Sequence, residues 1–281
     1  MGFNKDKNEL MENKKVVIIT GAAGGIGLAT AKKFAANNYC ITLSDINRDG
    51  LNNAVEILEK EYQADCLVCE GNLEDIRYVK DIVDQTIEKW NRVDVLVNNA
   101  AWRTIETMRT ISPENWEKAI RINLTAPAFL SKYVAKSMEE NRIPGVIINM
   151  SSVMAHSAGG SSPAYIACKG GIESLTFELA VLYGPARIRV IAVNPGNIET
   201  NLSSDYKDAE GNNISELLKH HMNDSTPLQR AGDPAEIANV CYWLSSDEAS
   251  FITGTSILVD GGFFHNFNAY KMKTLQFPNE F

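Results

Sequence analysis

Short runs of Val, Ile and Leu alternate along this chain with segments whose apolar residues recur at helical spacing. The apolar runs fall at Val16–Ile19, Tyr39–Ser44, Ala64–Glu70, Val93–Asn98, Val146–Met150, Arg189–Val193 and Ser256–Val259. Helical periodicity follows the first run, with Leu28, Ala31 and Phe34 or Ala35 on one side. It returns over Arg48–Tyr62, Asp75–Lys89, a long region from about Pro113 to Glu140, Pro163–Tyr183 and Pro234–Ser245. Strands that read as nearly continuous aliphatic runs are those buried on both faces, as in a parallel sheet covered by helices. The pattern therefore predicts a single α/β domain over residues 15–262, with seven parallel strands in a doubly wound sheet. A polar extension, residues 1–14, precedes it, and a tail, residues 263–281, follows. Residues 197–226, polar and rich in Asn, Ser and Asp, are expected to form a lid over a substrate.

The first strand–helix junction carries a glycine cluster, Gly21, Gly25 and Gly27, spaced G-x-x-x-G-x-G. A glycine-rich turn opening a helix lets backbone N–H groups approach a dinucleotide pyrophosphate, which makes the sheet Rossmann-type. A structural turn explains an isolated glycine cluster equally well; its place between strand and helix favours the nucleotide. The second strand ends in Asp45, eighteen residues after Gly27. A carboxylate there accepts hydrogen bonds from ribose hydroxyls and repels a 2′-phosphate. Arg48 lies nearby, but Asp45 precedes it and the loop offers only Ala22 and Ala23, so NAD is expected rather than NADP.

Tyr165 and Lys169 are four residues apart in a helical segment, which places phenol and amine on one face. An ammonium beside a phenol favours the phenolate, so Lys169 is expected to pull the Tyr165 pKa down from its ordinary value near 10. A Tyr tuned this way exchanges a proton with an alcohol or carbonyl. Such pairs are common on helix surfaces, and it is the surrounding motifs that give this one a chemical reading.

Together these segments resemble the short-chain dehydrogenase/reductase family over nearly the whole chain. The resemblance rests on "TGAAGGIG" (Thr20 to Gly27), "GNLED", "NNAA" (Asn98 to Ala101), "INL" with Asn123, then Ser152, Tyr165, Lys169 and "NPGNIET" (Asn194 to Thr200). It implies that Tyr165 takes the alcohol proton in oxidation and returns it in reduction. Lys169 would also hold the nicotinamide ribose, and Ser152 would donate to the substrate oxygen. Ser151 competes for that last role, but Ser152 stands at the family's thirteen-residue spacing from Tyr165. Asn123 would help hold a proton-relay water near Lys169. The cofactor-binding set is Gly21, Gly25, Ile26, Gly27, Asp45, Asn72, Leu73, Asn99, Ala100, Tyr165, Lys169, Pro195, Ile198 and Thr200. The family's usual Asp, Gly and Gly are here Asn72, Ala101 and Ala155; Asn72 is expected still to accept a bond from the adenine amino group. Residues expected at the substrate are Trp102, Arg103, Met154, His156 and Asn197, whose polarity points to a sugar, sugar acid or polyol. The rival enzyme is an NADPH-dependent 3-oxoacyl-type carbonyl reductase; a non-catalytic nucleotide-binding regulator is the reading from another class.

Composition narrows the partners. The 27 basic and 35 acidic residues give a net charge of −8, which argues against nucleic acid or an anionic membrane. No apolar stretch approaches a bilayer span, and the polar start lacks a signal-peptide core, so a cytoplasmic enzyme is expected. Cys66 and Cys69 have redox-motif spacing, yet residues three apart on a strand face opposite sides and should not pair. The four histidines show no metal-binding spacing, and no metal site is expected. Six aromatics among the nineteen tail residues are too many for a solvated tail. The tail is expected to pack on a neighbouring subunit of a homotetramer, the assembly that the resemblance implies.

Overall fold

The computed structural model describes residues 14–200, 204, 206–208 and 210–281. Most of the expected N-terminal extension, and residues 201–203, 205 and 209 of the expected lid, lie outside this set.

Seven strands, β1 (Val16–Thr20), β2 (Cys40–Asp45), β3 (Cys66–Glu70), β4 (Val95–Asn98), β5 (Val146–Met150), β6 (Arg189–Pro195) and β7 (Thr255–Val259), form one sheet. Their order is β3-β2-β1-β4-β5-β6-β7 and every pairing is parallel. The chain reverses direction across the sheet between β1 and β4, which opens a crevice at the carboxyl ends of these strands.

The period of two divides each strand between two cores. Val17 and Ile19 of β1 pack in one cluster with Ala31 and Phe34 of α1 (Gly25–Ala35), Leu51 and Leu58 of α2 (Arg48–Tyr62) and Ile237 of α8 (Pro234–Leu244). Ile18, between them, joins Ile82 of α3 (Ile76–Trp90), Val134 of α5 (Ala126–Asn141) and Leu179 of α6 (Pro163–Tyr183) on the other face. Cys66 and Cys69 divide the same way, Cys66 against the first cluster and Cys69 within the second. Burial pushes both thiols up, to about 12 and about 11, so these are packing residues rather than a redox pair.

Helix boundaries follow local chemistry. Asn47, Asp75 and Ser112 cap α2, α3 and α4 (Pro113–Ile120) by accepting from backbone N–H groups, and Asp233 with Glu236 forms a capping box on α8. The long helical region expected from about Pro113 to Glu140 contains a π-helical turn, Arg121–Thr125. Pro127, with no N–H to donate, follows that turn, and the Asn123 side chain donates to the Ala119 carbonyl.

Two helices were not anticipated. α7 (Ser215–Asp224) forms within the expected lid, and α9 (Tyr270–Gln276) within the tail. Neither has a long apolar stripe; both are held by tertiary bonds. Asn197 Nδ2 donates to Asn223 Oδ1 at 3.2 Å, Lys219 pairs with Glu199 at 2.9 Å, and Lys271 N donates to Asp224 Oδ1 at 3.0 Å. The tail is thus tied to its own α7 at Lys271. Phe267 and Leu275 remain 98% and 72% exposed.

Candidate active site

The carboxyl ends of β1, β2 and β4 build the cradle. Gly21 has a φ of +68°, and a Cβ there would lie 2.9 Å from the Ala100 backbone. A Cβ on Gly27 would lie 1.9 Å from the Gly21 carbonyl, so only glycine lets α1 approach β1 this closely. Outside this tight junction, a Cβ on Gly24 would meet no atom within 4 Å, so the mouth of α1 is open. Its first turn carries no acidic side chain, and Ile26 stands in it half-buried. A helix N-terminus facing free space with no carboxylate beside it fits a pyrophosphate.

Other expected cofactor residues converge on this mouth. Thr20 Oγ1 accepts from Asn99 N and Ala100 N, both at 3.0 Å, and Asn99 Nδ2 donates to the Thr20 and Gly21 carbonyls. Asp45 Oδ2 accepts from Ala23 N at 3.0 Å, turning the carboxylate toward the glycine loop. Thr200 comes to the same place from β6, since a Cβ on Gly25 would touch its methyl at 3.3 Å. Pro195 ends β6, and the buried Ile198 is bridged to Gly232. Leu73 packs on the second core, while Asn72 is exposed and bonded to Glu74 through both ends of its amide. Asn72 Oδ1 thus already accepts from a backbone N–H, leaving one lone pair for the adenine contact expected of it.

Beside the cradle, the Ser152 hydroxyl lies near the Tyr165 phenol and is the neighbour that most favours its ionised form. Ser151, its competitor, instead lies 2.9 Å from Glu173 Oε1 and 3.1 Å from the Lys169 carbonyl. Tyr165 and Lys169 are both buried, and the Lys169 amine is 5.2 Å from the phenol ring centre. It donates to the Met150 carbonyl at 2.6 Å.

The expected electrostatics are overturned here. Burial pushes the Tyr165 phenol up to about 12 rather than down, partly offset by the Ser152 hydroxyl and by the Arg103 cation. Burial also pulls the Lys169 amine down to about 8, and Lys169 is not among the groups that lower Tyr165. The i,i+4 spacing brings amine to phenol, but desolvation outweighs the charge.

Asn123 is buried and accepts from Trp102 N at 2.9 Å while donating to the Trp102 and Ala119 carbonyls. It fastens the segment after β4 to the π turn. Of the expected substrate residues, Trp102 lies under the Lys118 ammonium, and Arg103 stacks on Tyr206, within the segment expected to form a lid. Met154 N donates to Ser152 Oγ, Asn197 bonds α7, and His156 pairs with Glu173 at 2.8 Å. Sequence reasoning missed Glu173 and the amide row beneath the site. In that row Asn98 donates to Asn149, and Asn149 to Thr176. For Glu173 a signal existed: it extends the Tyr165–Lys169 spacing by four more residues.

A glycine-walled cradle at the crevice, with a hydroxyl, a phenol and an amine grouped beside it, defines a dinucleotide-dependent oxidoreductase. The family model described as Enoyl-(Acyl carrier protein) reductase matches residues 21–264. An "Uncharacterized oxidoreductase" of Thermotoga maritima is 38% identical, over 88% of this chain and 95% of that protein. "Glucose 1-dehydrogenase 2" of Bacillus subtilis is 31% identical over 88% and 94%. "3-oxoacyl-[acyl-carrier-protein] reductase FabG" of Thermotoga maritima is 34% identical over 88% and 97%. Among solved structures, an NAD+-bound xylitol dehydrogenase superposes with a TM-score of 0.81 at 28% identity, covering 88% of this chain and 98% of the other. The chain belongs to the short-chain dehydrogenase/reductase family and is an NAD(P)-dependent oxidoreductase acting on CH–OH groups.

Proposed function

We propose that this enzyme moves a hydride between NAD(H) and a secondary alcohol or ketone of a sugar, sugar acid or polyol. The observation that carries the cofactor choice is the disposition of charge at the end of β2. Asp45 faces the glycine loop, while Arg48, the one cation close by in sequence, donates to Glu70 at 2.8 Å. A 2′-phosphate would meet a carboxylate, with its nearest candidate cation already paired. The polar lining from Arg103, His156 and Asn197 supports a hydroxyl-rich substrate.

Bound in the cradle, the dinucleotide supplies hydride transfer. The chain's own residues handle the proton. In reduction the neutral phenol of Tyr165 donates its proton to the carbonyl oxygen as negative charge develops there, and Ser152 donates a second hydrogen bond to that oxygen. In oxidation it is the phenolate of Tyr165, its own proton first released to solvent, that takes the alcohol proton. Lys169, anchored on Met150, stands beside the ring to hold ribose. Asn123, by fixing Trp102, holds the segment that walls the substrate side.

Reduction of NAD and NADP, followed at 340 nm against aldoses, uronic acids, polyols and hydroxyacyl compounds, tests the proposal. The expected result is turnover of a sugar or polyol with NAD at least about ten-fold above NADP, a ratio equal to about 1.4 kcal/mol. Turnover confined to hydroxyacyl compounds with NADP would instead favour the 3-oxoacyl-type reductase, a reading that the FabG relative keeps in view.

The proposed setting is the cytoplasm, and the proposed assembly a homotetramer. Among the described residues no helix is long and apolar enough to cross a membrane. The outward side of α6 leaves Val181 79% and Leu182 58% exposed, and Phe177 and Phe129 are half-exposed on α6 and α5. An apolar surface of this kind supports association of copies. Sedimentation equilibrium is expected to give four times the chain mass; a monomer would dismiss the assembly.

A further inference from the structure

Glu173 is 4% exposed and lies on α6 eight residues, about two turns, beyond Tyr165. A carboxylate this deeply placed needs donors, and three converge on it. Oε1 accepts from Ser151 Oγ at 2.9 Å and from Asn194 Nδ2, while Oε2 lies 2.8 Å from His156 Nε2. These donors come from different elements. Ser151 follows β5, His156 follows the short 3-10 turn Val153–Ala155, and Asn194 stands near the end of β6, just before the cofactor segment Pro195–Thr200.

The arrangement around Ser152 is what gives the cluster a role. Ser152 lies near the Tyr165 phenol, and the residue before it and the residue four after it are both held by Glu173. The far side of His156 is closed by Phe264, whose ring packs edge-on at 5.8 Å and whose N–H donates to Asp260 at 2.8 Å. We propose that Glu173 is a positioning residue: by gripping Ser151 and His156 it fixes the 151–156 segment so that the Ser152 hydroxyl meets Tyr165 and the reacting oxygen. Proton donor, amine and clamp then share one rigid helix, at positions 165, 169 and 173, and the serine is held to that helix at both sides. A hydroxyl that must stay within a few tenths of an ångström of its acceptor gains from such support.

This inference rests on the proposed role of Ser152 and not on the identity of the alcohol. The test uses the full-length enzyme and the alcohol of the panel with the highest wild-type turnover, with xylitol as the first choice. Glu173→Gln keeps the shape and removes the carboxylate. It is expected to lower kcat about ten- to one-hundred-fold, with the Kd for NADH, read by fluorescence titration, within two-fold of wild type. In a Ser152→Ala background the same substitution should cost less than about two-fold, because the group it positions is gone. Ser151→Ala, a milder change, should lower kcat about three- to ten-fold and show the same dependence on Ser152; it serves if Glu173→Gln does not fold. Equal losses in both backgrounds, or an unchanged kcat, would overturn the proposal. If the wild type turns over only hydroxyacyl compounds, the sugar reading fails, and the same cycle is run on that substrate.

Discussion

Tyr165→Phe is expected to lower turnover about 10²–10⁴-fold, the range that a positioned general acid contributes, while NADH binds as before. The side chain is buried, so phenylalanine keeps the ring and its packing and removes only the hydroxyl. Removing one buried hydroxyl costs about 1 kcal/mol of stability, too little to unfold the chain. Because burial holds the phenol at about 12, it is overwhelmingly protonated at neutral pH, the form that donates to a carbonyl. Ketone reduction should therefore lose most. Single-turnover rates with NADH, beside a fluorescence titration for NADH binding, separate chemistry from affinity. Undiminished turnover would remove Tyr165 from the proton path, and an inert wild type across the whole panel would revive the regulator reading.

The second large effect has two signs. Lys169→Met should abolish most turnover yet raise stability at neutral pH. The amine is 2% exposed, and burial lowers its pKa from 10.5 to about 8. Between those values the unfolded chain binds the proton and the folded chain does not, so stability from this group increases as pH rises through the window. Below pH 8 both states are protonated, and the folded state carries a buried charge that costs about 3 kcal/mol at about 1.36 kcal/mol per unit. Methionine removes that charge with similar volume but leaves the Met150 carbonyl without its donor, returning about 1–2 kcal/mol. The expected net gain is about 1–2 kcal/mol at pH 7, shrinking to zero or reversing near pH 10. Urea unfolding at both pH values checks it, and a variant less stable at pH 7 would mean that the amine is not held desolvated. A buried lysine kept at the expense of stability fits the trade between stability and activity that is common in enzymes.

How much of this was readable in advance depends on the kind of force involved. Val16 to Ile19 reads as a doubly covered strand, because an apolar run this short, β-branched and ending at a glycine turn favours a strand over a buried helix. Gly21 and Gly27 announced a turn in which side chains cannot fit, and Asp45 announced a carboxylate at a strand end. These are local facts of period, backbone freedom and charge. By contrast, α7 and α9 carry little apolar periodicity of their own and are held by Asn223, Lys219 and Lys271 reaching distant partners. The π turn at Arg121–Thr125 needed the knowledge that Asn123 would fold back onto Ala119 and Trp102.

The site divides along the same line. Spacing by itself determined that Tyr165 and Lys169 share a helix face, that a glycine loop opens α1, and that Asp45 ends β2, because each depends only on the repeat of one element. Only the tertiary structure decided that Glu173 grips the segment around Ser152 and that Tyr165 rises to about 12 instead of falling. Desolvation and multi-strand hydrogen bonding depend on what surrounds a group in space, and β5, β6 and α6 become neighbours only when the sheet has formed.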